Sequence, residues 1–252
     1  MFDGIKNKRV LITGATGGMG VAMATLFAEY GACLGLQYRK NDAEALRLQK
    51  SIRGKTATAE IFQADLLQTQ ARKYLVKSFL KKFDGIDVLI NNAGAVYDYT
   101  NFSALNEKSW QKTFDLNAKA PFYLSGGVFD YMKQQGGGKI INISSVNVKY
   151  GGSEKSMHYV ASKAALESMT RGFAKVGAKY NILVNAIRCG VIDTPMRTKV
   201  TGYNKKDFLK RIAMVPLKRA GKPIDIARMA LFLASEAGDF VTGEIFTIAG
   251  GD

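Results

Sequence analysis

Tyr159 and Lys163 stand four residues apart in Ser156-Met157-His158-Tyr159-Val160-Ala161-Ser162-Lys163-Ala164-Ala165-Leu166. The Ala-rich continuation predicts a helix, and residues four apart share one helix face. A phenol and an ammonium then meet. A free phenol, with a pKa of about 10, donates a proton at neutral pH but hardly accepts one. A lysine charge beside it favours phenolate and draws that value towards neutrality, the range in which a general acid/base works in both directions. Taken alone, the same spacing also describes an ordinary surface pair, so its meaning rests on the elements that position it.

The chain has 252 residues, 47% of them hydrophobic. That is enough for one large α/β core, and no Pro- or Ser-rich linker divides it, so a single domain over 1–252 is expected. No apolar run of about 18 residues is present and no signal-type stretch follows the charged first residues, which predicts a cytoplasmic protein with no membrane partner. Cys33, Cys189 and the one histidine, His158, are too few for a disulfide framework or a Cys/His metal site. No metal is expected. With 36 Lys+Arg against 21 Asp+Glu, the net charge of +15 implies attraction to anions. Nucleic acid is one such class, and Arg72, Lys73, Lys77, Lys81 and Lys82 cluster. A solvated helix face explains that cluster equally well and nucleic-acid motifs are absent, so no nucleic-acid partner is expected.

Arg9 to Thr13 is a short β-favouring run that breaks into Gly14-Ala15-Thr16-Gly17-Gly18-Met19-Gly20, and Val21 to Tyr30 has helical composition. A strand, a glycine-rich turn and a helix in that order form a phosphate cradle, because glycines let backbone N–H groups and the helix N-terminus approach a pyrophosphate. The spacing departs from G-x-G-x-x-G, which cannot be laid on this turn with all three glycines in place. The second strand, Cys33 to Gln37, ends where a dinucleotide-binding unit places an acidic residue for the ribose hydroxyls. Tyr38, Arg39 and Lys40 stand there instead, which suits a 2′-phosphate and favours NADP over NAD.

Strands and helices then alternate: Ala57 to Gln63, Thr69 to Phe83, Val88 to Asn91, Glu107 to Phe129, Lys139 to Ile143, the Tyr159 helix, Ile182 to Ala186, Ile224 to Leu233 and Ile245 to Ile248. This βαβ alternation predicts a parallel sheet covered on both faces, with ligands at the carboxyl ends of the strands. Asp65, Asn91, Ser145 and Gly190 all fall at those ends. Trp110, Phe114 and Phe122, spaced at four and eight, suit a helix-core or a subunit-interface stripe, and core is expected. His158 projects from a different helix face than Tyr159, and a packing or surface role is expected of it.

These residues resemble the short-chain dehydrogenase/reductase family. The matches are Thr13-Gly14-x-x-x-Gly18-x-Gly20, Asn91-Asn92-Ala93-Gly94, Leu116-Asn117, Ser144-Ser145 and Tyr159-x-x-x-Lys163, running in the family's order across nearly the whole chain. The segments Pro216 to Gly221, Thr242-Gly243-Glu244 and Gly250-Gly251 are similar too. The resemblance implies a single-domain α/β Rossmann-type fold, a doubly wound parallel sheet of about seven strands with helices on both faces. It implies a carbonyl-to-alcohol oxidoreductase with catalytic Asn117, Ser145, Tyr159 and Lys163, and it places Ser145 ahead of Ser144 in that role. Lys163 would also hold the nicotinamide ribose, and Asn117 would anchor a water that leads protons in. The implied cofactor-binding residues are Gly14, Thr16, Gly18, Met19, Gly20, Tyr38, Arg39, Asp65, Leu66, Asn91, Ala93, Gly94, Tyr159, Lys163, Gly190, Ile192 and Thr194. Within the family the nearest flavour is the 3-oxoacyl-acyl-carrier-protein reductases, with a small-molecule carbonyl substrate delivered by acyl carrier protein and a homotetramer formed by helices near 107–129 and 156–178.

Two departures stand out. Cys189-Gly190 replaces the family's Pro-Gly, which predicts a looser loop, since proline's fixed φ is lost. The glycine turn offers only Thr16 and Gly17 where many NADP-dependent relatives have a basic residue, which leaves Arg39 with more of the discrimination. The segment near 195–215 that would cover the substrate is the least family-like. Between Pro195 and Lys222 the basic residues are Arg197, Lys199, Lys205, Lys206, Lys210, Arg211, Lys218, Arg219 and Lys222 against the single acid Asp207, which predicts an anionic substrate or carrier, the alternative being a solvated set of cations that serves solubility. Alternatives are an alcohol or sugar dehydrogenase acting on another small ketone, and a cofactor-binding regulator or nucleic-acid-binding protein.

Overall fold

The computed structural model describes residues 2–56, 58–194 and 205–252. The start of the third strand at Ala57, residues Pro195, Met196, Arg197 and Lys199, and much of the segment near 195–215 that is expected to cover the substrate lie outside the described residues. Seven strands, Arg9–Ile12 (β1), Cys33–Tyr38 (β2), Thr58–Gln63 (β3), Val88–Asn91 (β4), Gly138–Ser145 (β5), Ile182–Cys189 (β6) and Ile245–Ile248 (β7), pair in the order β3-β2-β1-β4-β5-β6-β7. Every pairing is parallel. The helices are Gly18–Glu29 (α1), Asp42–Ile52 (α2), Thr69–Phe83 (α3), Glu107–Phe114 (α4), Ala120–Gln134 (α5), Met157–Gly177 (α6), Lys205–Met214 (α7) and Pro223–Ala234 (α8).

Parallel strands covered on both faces read as nearly continuous apolar runs, and successive side chains alternate between the faces. Val10 and Ile12 thus enter a core with Met23, Phe27, Ile226 and Leu231. Leu11, between them, enters a second core with Phe79, Leu124 and Val184. Each such large side chain, fully buried, contributes about 1.5–3 kcal/mol relative to exposure. The chain passes from β1 outward to β2 and β3, then returns to place β4 on the other side of β1. The turns after β1 and β4 therefore diverge, opening a crevice at the carboxyl end of the sheet.

Four sequence expectations are corrected. The expected helix from Glu107 to Phe129 is two helices joined by a π-helical turn, Asp115–Lys119. A π turn carries an extra residue, so the helix beyond it is rotated relative to a continuous one and the four-and-eight spacing no longer marks one face. Trp110 and Phe122 are accordingly 44% and 45% exposed rather than core. Trp110 stacks on Phe114 at 4.9 Å, while Phe122 packs against Phe173 at 5.5 Å. With Phe129, Met169 and Val176, those two phenylalanines line a groove between α5 and α6, the helices that the resemblance pairs across subunits.

Arg72 does not belong to a solvated face. It is buried, its guanidinium donating to Leu66 O at 2.6 Å and Thr69 Oγ1 at 3.0 Å, and it lies over the Tyr123 ring. Lys73, Lys77 and Lys81 are exposed, and Lys82 pairs with Glu60 at 2.6 Å. Helix α2 was missed because its composition is polar. Its signals were nonetheless present: Asn41 caps it by accepting from Glu44 N–H at 3.1 Å, and Ala45, Leu48 and Ile52 bury one face.

Candidate active site

The glycine turn after β1 is braced from both neighbouring strands. Gln37, in β2, accepts from Gly14 N–H at 2.8 Å and donates to Ala64 O at 2.7 Å. From the other side Asn92 donates to Thr13 O at 2.8 Å and Gly14 O at 3.1 Å, while Thr13 Oγ1 accepts from the N–H groups of Asn92 and Ala93 at 2.9 and 3.0 Å. Gly14 has φ +62°, which a side chain rarely adopts, and a Cβ on Gly20 would sit 2.3 Å from Gly14 O. Only glycine closes this turn. Helix α1 begins at Gly18 with no side chain capping it, which leaves its first N–H groups facing the crevice. That is the donor set for a pyrophosphate. Thr13 and Asn92 stand in the matched motifs without a role that the sequence assigns, and nothing in the sequence marks Gln37, since what all three do lies in contacts between strands distant in the chain.

Around this turn the structure places Thr16, Gly18 and Met19 on its rim, and Tyr38 and Arg39 at the end of β2. Tyr38 is buried, and burial together with Asp42 pushes its phenol above the ordinary value. Asp65 lies two residues beyond β3 and caps its own turn by accepting from Leu67 N–H at 3.1 Å, with Leu66 buried beside it. Asn91 turns its side chain away from the crevice: its Nδ2 donates to Asn142 Oδ1 at 2.8 Å and Ser125 Oγ at 3.2 Å within the sheet's buried face. At this strand end it is Asn92 whose side chain reaches the glycine turn.

A cleft of about 200 Å³ opens further along the same edge, lined by Met19, Asn92, Gly94, Ala95, Ser145, Tyr159, Lys163, Cys189, Gly190, Ile192 and Thr194 among others. Ser145 and Cys189 end β5 and β6 directly opposite each other. The two serines separate cleanly. Ser144 donates to the buried Glu167 at 2.7 Å, and Glu167 is gripped by Arg188 at 2.8 and 2.6 Å, a network that pins α6 to β5 and β6. Ser145 instead lies beside the Tyr159 phenol, whose pKa it holds down against the rise from burial, and its Oγ accepts from Asn147 N–H at 3.3 Å. Asn117, fully buried in the π turn, donates to Ala95 O at 2.7 Å and Thr113 O at 2.9 Å and accepts from Ala95 N–H at 3.1 Å. A Cβ on Gly94 would lie 2.8 Å from Asn117 Oδ1 and 3.2 Å from Lys163 Nζ, so this glycine lets the two side chains approach the same loop.

The electrostatics correct the expected tyrosine. Tyr159 and Lys163 do share the cleft, but Tyr159 is pushed up to about 12, chiefly by burial, with Cys189 adding to the rise and Ser145 opposing it. Lys163 Nζ lies 5.9 Å from the Tyr159 ring centre and donates to Ile143 O at 2.8 Å. Burial lowers its own value to about 8. Burial is the leading cause of both shifts, and in each group it disfavours the charged form. Cys189, expected to loosen its loop, is a buried sheet residue in register with Ser145 on one side and Ile248 on the other, and burial raises its thiol to about 12. The next residue, Gly190, donates to Ile248 O at 3.0 Å.

Several basic residues between Pro195 and Lys222 are paired. Arg211 bonds Asp252, Lys218 donates to Ala213 O at 2.7 Å, and Arg219 lies 3.7 Å from Asp225. His158, beside Tyr159, is buried, with its Nε2 2.9 Å from Tyr97 O. No group of acidic, histidine and cysteine side chains able to hold a metal ion occurs among the described residues, and no described helix is long and apolar enough to cross a membrane.

The parallel seven-stranded sheet with its glycine turn, and the cleft holding Ser145, Tyr159 and Lys163, define a nicotinamide-dependent oxidoreductase class, and the chain belongs to the short-chain dehydrogenase/reductase family. A family model described as enoyl-(acyl carrier protein) reductase matches residues 14–251. The chain is 36% identical over 248 residues to the 3-oxoacyl-[acyl-carrier-protein] reductase FabG of Thermotoga maritima, covering 98% of each chain. It is 34% identical over 252 residues to a 3alpha-hydroxysteroid dehydrogenase of Mediterraneibacter gnavus, covering 99% of this chain and 98% of the relative. The crystal structure of the DEH reductase A1-R' mutant superposes with a TM-score of 0.90 at 30% identity, covering 100% of this chain and 98% of that one.

Proposed function

We propose that the protein interconverts a carbonyl and a secondary alcohol with NADP(H), and that its substrate is a 3-oxoacyl thioester carried by acyl carrier protein. The observation that carries the reading is the convergence of Ser145, Tyr159 and Lys163 in one cleft beside an uncapped helix N-terminus and glycine turn. The turn around Gly14 to Gly20 and the α1 N–H groups would hold the pyrophosphate, Arg39 the 2′-phosphate, and Lys163, Gly190, Ile192 and Thr194 the nicotinamide half. When bound, this cofactor supplies the hydride. Negative charge then grows on the carbonyl oxygen, where Tyr159 donates its proton and Ser145 a hydrogen bond. Lys163 sets the charge around Tyr159, and Asn117 anchors the water through which the phenol regains a proton.

The NADP preference is supported by Arg39, which has no carboxylate partner among the described residues. Arg39→Asp is expected to erode or invert it, because one charge-assisted phosphate contact contributes about 1.5–3 kcal/mol, roughly tenfold or more in affinity. Equal kcat/KM of the unmutated protein with NADPH and NADH would count against the assignment. The carrier reading is supported by the similar reductase of Thermotoga maritima and by the run of basic residues between Pro195 and Lys222 in the sequence. It predicts that a carrier-linked or coenzyme A-linked 3-oxoacyl substrate outperforms a neutral analogue of the same chain, with an advantage that falls as salt rises. The same efficiency and salt dependence for both substrates would remove the carrier from the reading.

A further inference from the structure

Arg39 and Tyr97 meet across the mouth of the cofactor crevice. Arg39 follows β2, Tyr97 lies in the connection after β4, and those strands flank β1 and its glycine turn. The Arg39 guanidinium donates through Nη1 to the Tyr97 hydroxyl at 3.2 Å, its one side-chain hydrogen bond among the described residues. Tyr97 is the fixed partner of the two. Its N–H donates to Thr113 Oγ1 at 3.4 Å, its carbonyl is held 2.9 Å from His158 Nε2, and Lys112 lies 5.9 Å from its ring centre. Two helices, α4 and α6, therefore hold the backbone and ring that the exposed arginine leans on.

The chemistry of the pair is directional. By accepting from Arg39, the phenol oxygen leaves its own proton available, and that proton has no acceptor among the described residues. Arg39 keeps its remaining N–H donors. A phosphate monoester placed against Arg39 would therefore bring its negative charge to guanidinium donors and a phenol donor from one direction, whereas a ribose hydroxyl would offer them only a neutral acceptor. We infer that Tyr97 is a specificity-determining residue, which positions Arg39 at the crevice mouth and supplies a second donor to the 2′-phosphate of the cofactor ribose. This role rests on the proposed use of NADP.

The test is a binding titration, by isothermal calorimetry, of NADPH and NADH against the wild type, Tyr97→Phe, Arg39→Ala and the double variant. Tyr97→Phe keeps the ring and removes only the hydroxyl. Its NADPH affinity should fall about tenfold, the scale of one hydrogen bond to a charged group, with NADH affinity unchanged. In the double variant the two losses should be less than additive, because the pair acts on one phosphate. If Arg39→Ala loses the NADPH preference while Tyr97→Phe keeps it, or if Tyr97→Phe weakens both cofactors alike, the role of Tyr97 is overturned and the NADP reading stands. A wild type that binds both cofactors equally overturns the NADP reading, and the role of Tyr97 with it.

Discussion

Tyr159→Phe is expected to lose carbonyl reduction by at least about a hundredfold, the lower end of what a positioned general acid contributes, while still binding NADPH. The substitution removes one oxygen from a partly buried ring and leaves its packing in place. Only the hydroxyl, with its transferable proton and its interaction with Ser145, is lost. The phenol is pushed up to about 12, so it is fully protonated at neutral pH and ready to act as an acid. The reverse reaction, alcohol oxidation, needs phenolate and is expected to require the bound cofactor and the Lys163 charge to bring that value down. Turnover near the wild-type rate in Tyr159→Phe would sink the proposed mechanism.

Lys163→Met is expected to abolish turnover, weaken cofactor binding and yet stabilise the cofactor-free fold at neutral pH. Lys163 is 3% exposed, and its folded value of about 8 lies below the ordinary 10.5. Below about pH 8 the folded state carries a buried ammonium that the unfolded chain carries in water, so folding is disfavoured there. Between about pH 8 and 10.5 the unfolded chain binds the extra proton, and stability rises with pH through that window. Methionine removes this penalty and fills similar volume, at the loss of the hydrogen bond to Ile143 O. The net gain should be about 1–3 kcal/mol at pH 7 and should shrink as pH approaches 10. Urea unfolding of both proteins across that pH range measures it. A variant less stable than the wild type at pH 7 would show that Lys163 is stabilising where it sits.

Much of the sheet was legible because parallel strands buried on both faces announce themselves as apolar runs, and Val88–Asn91 and Ile245–Ile248 begin and end as those runs do. The joint cleft of Tyr159, Ser145 and Lys163 was legible through the order of its motifs. What escaped was set by long-range geometry. Nothing in Asp115-Leu116-Asn117-Ala118-Lys119 distinguishes a π turn from an α-helix, although that turn decides where Phe122 faces and how Asn117 meets Ala95. The Tyr159–Lys163 spacing suggested a phenol drawn towards neutrality, but the dominant effect is burial, and burial is a property of the assembled fold. Arg72 reads as one of a run of surface cations until Leu66 O and the Tyr123 ring are seen to enclose it.

The most direct test of the central claim is a single-turnover reaction of the wild-type protein with NADPH deuterated at the transferable position and acetoacetyl-coenzyme A. The account predicts loss of the reduced-nicotinamide absorbance matched by 3-hydroxybutyryl-coenzyme A carrying deuterium on its carbinol carbon, with no product from Tyr159→Phe under the same conditions. Cofactor bound but unoxidised, with this thioester and with a panel of ketones, would contradict it.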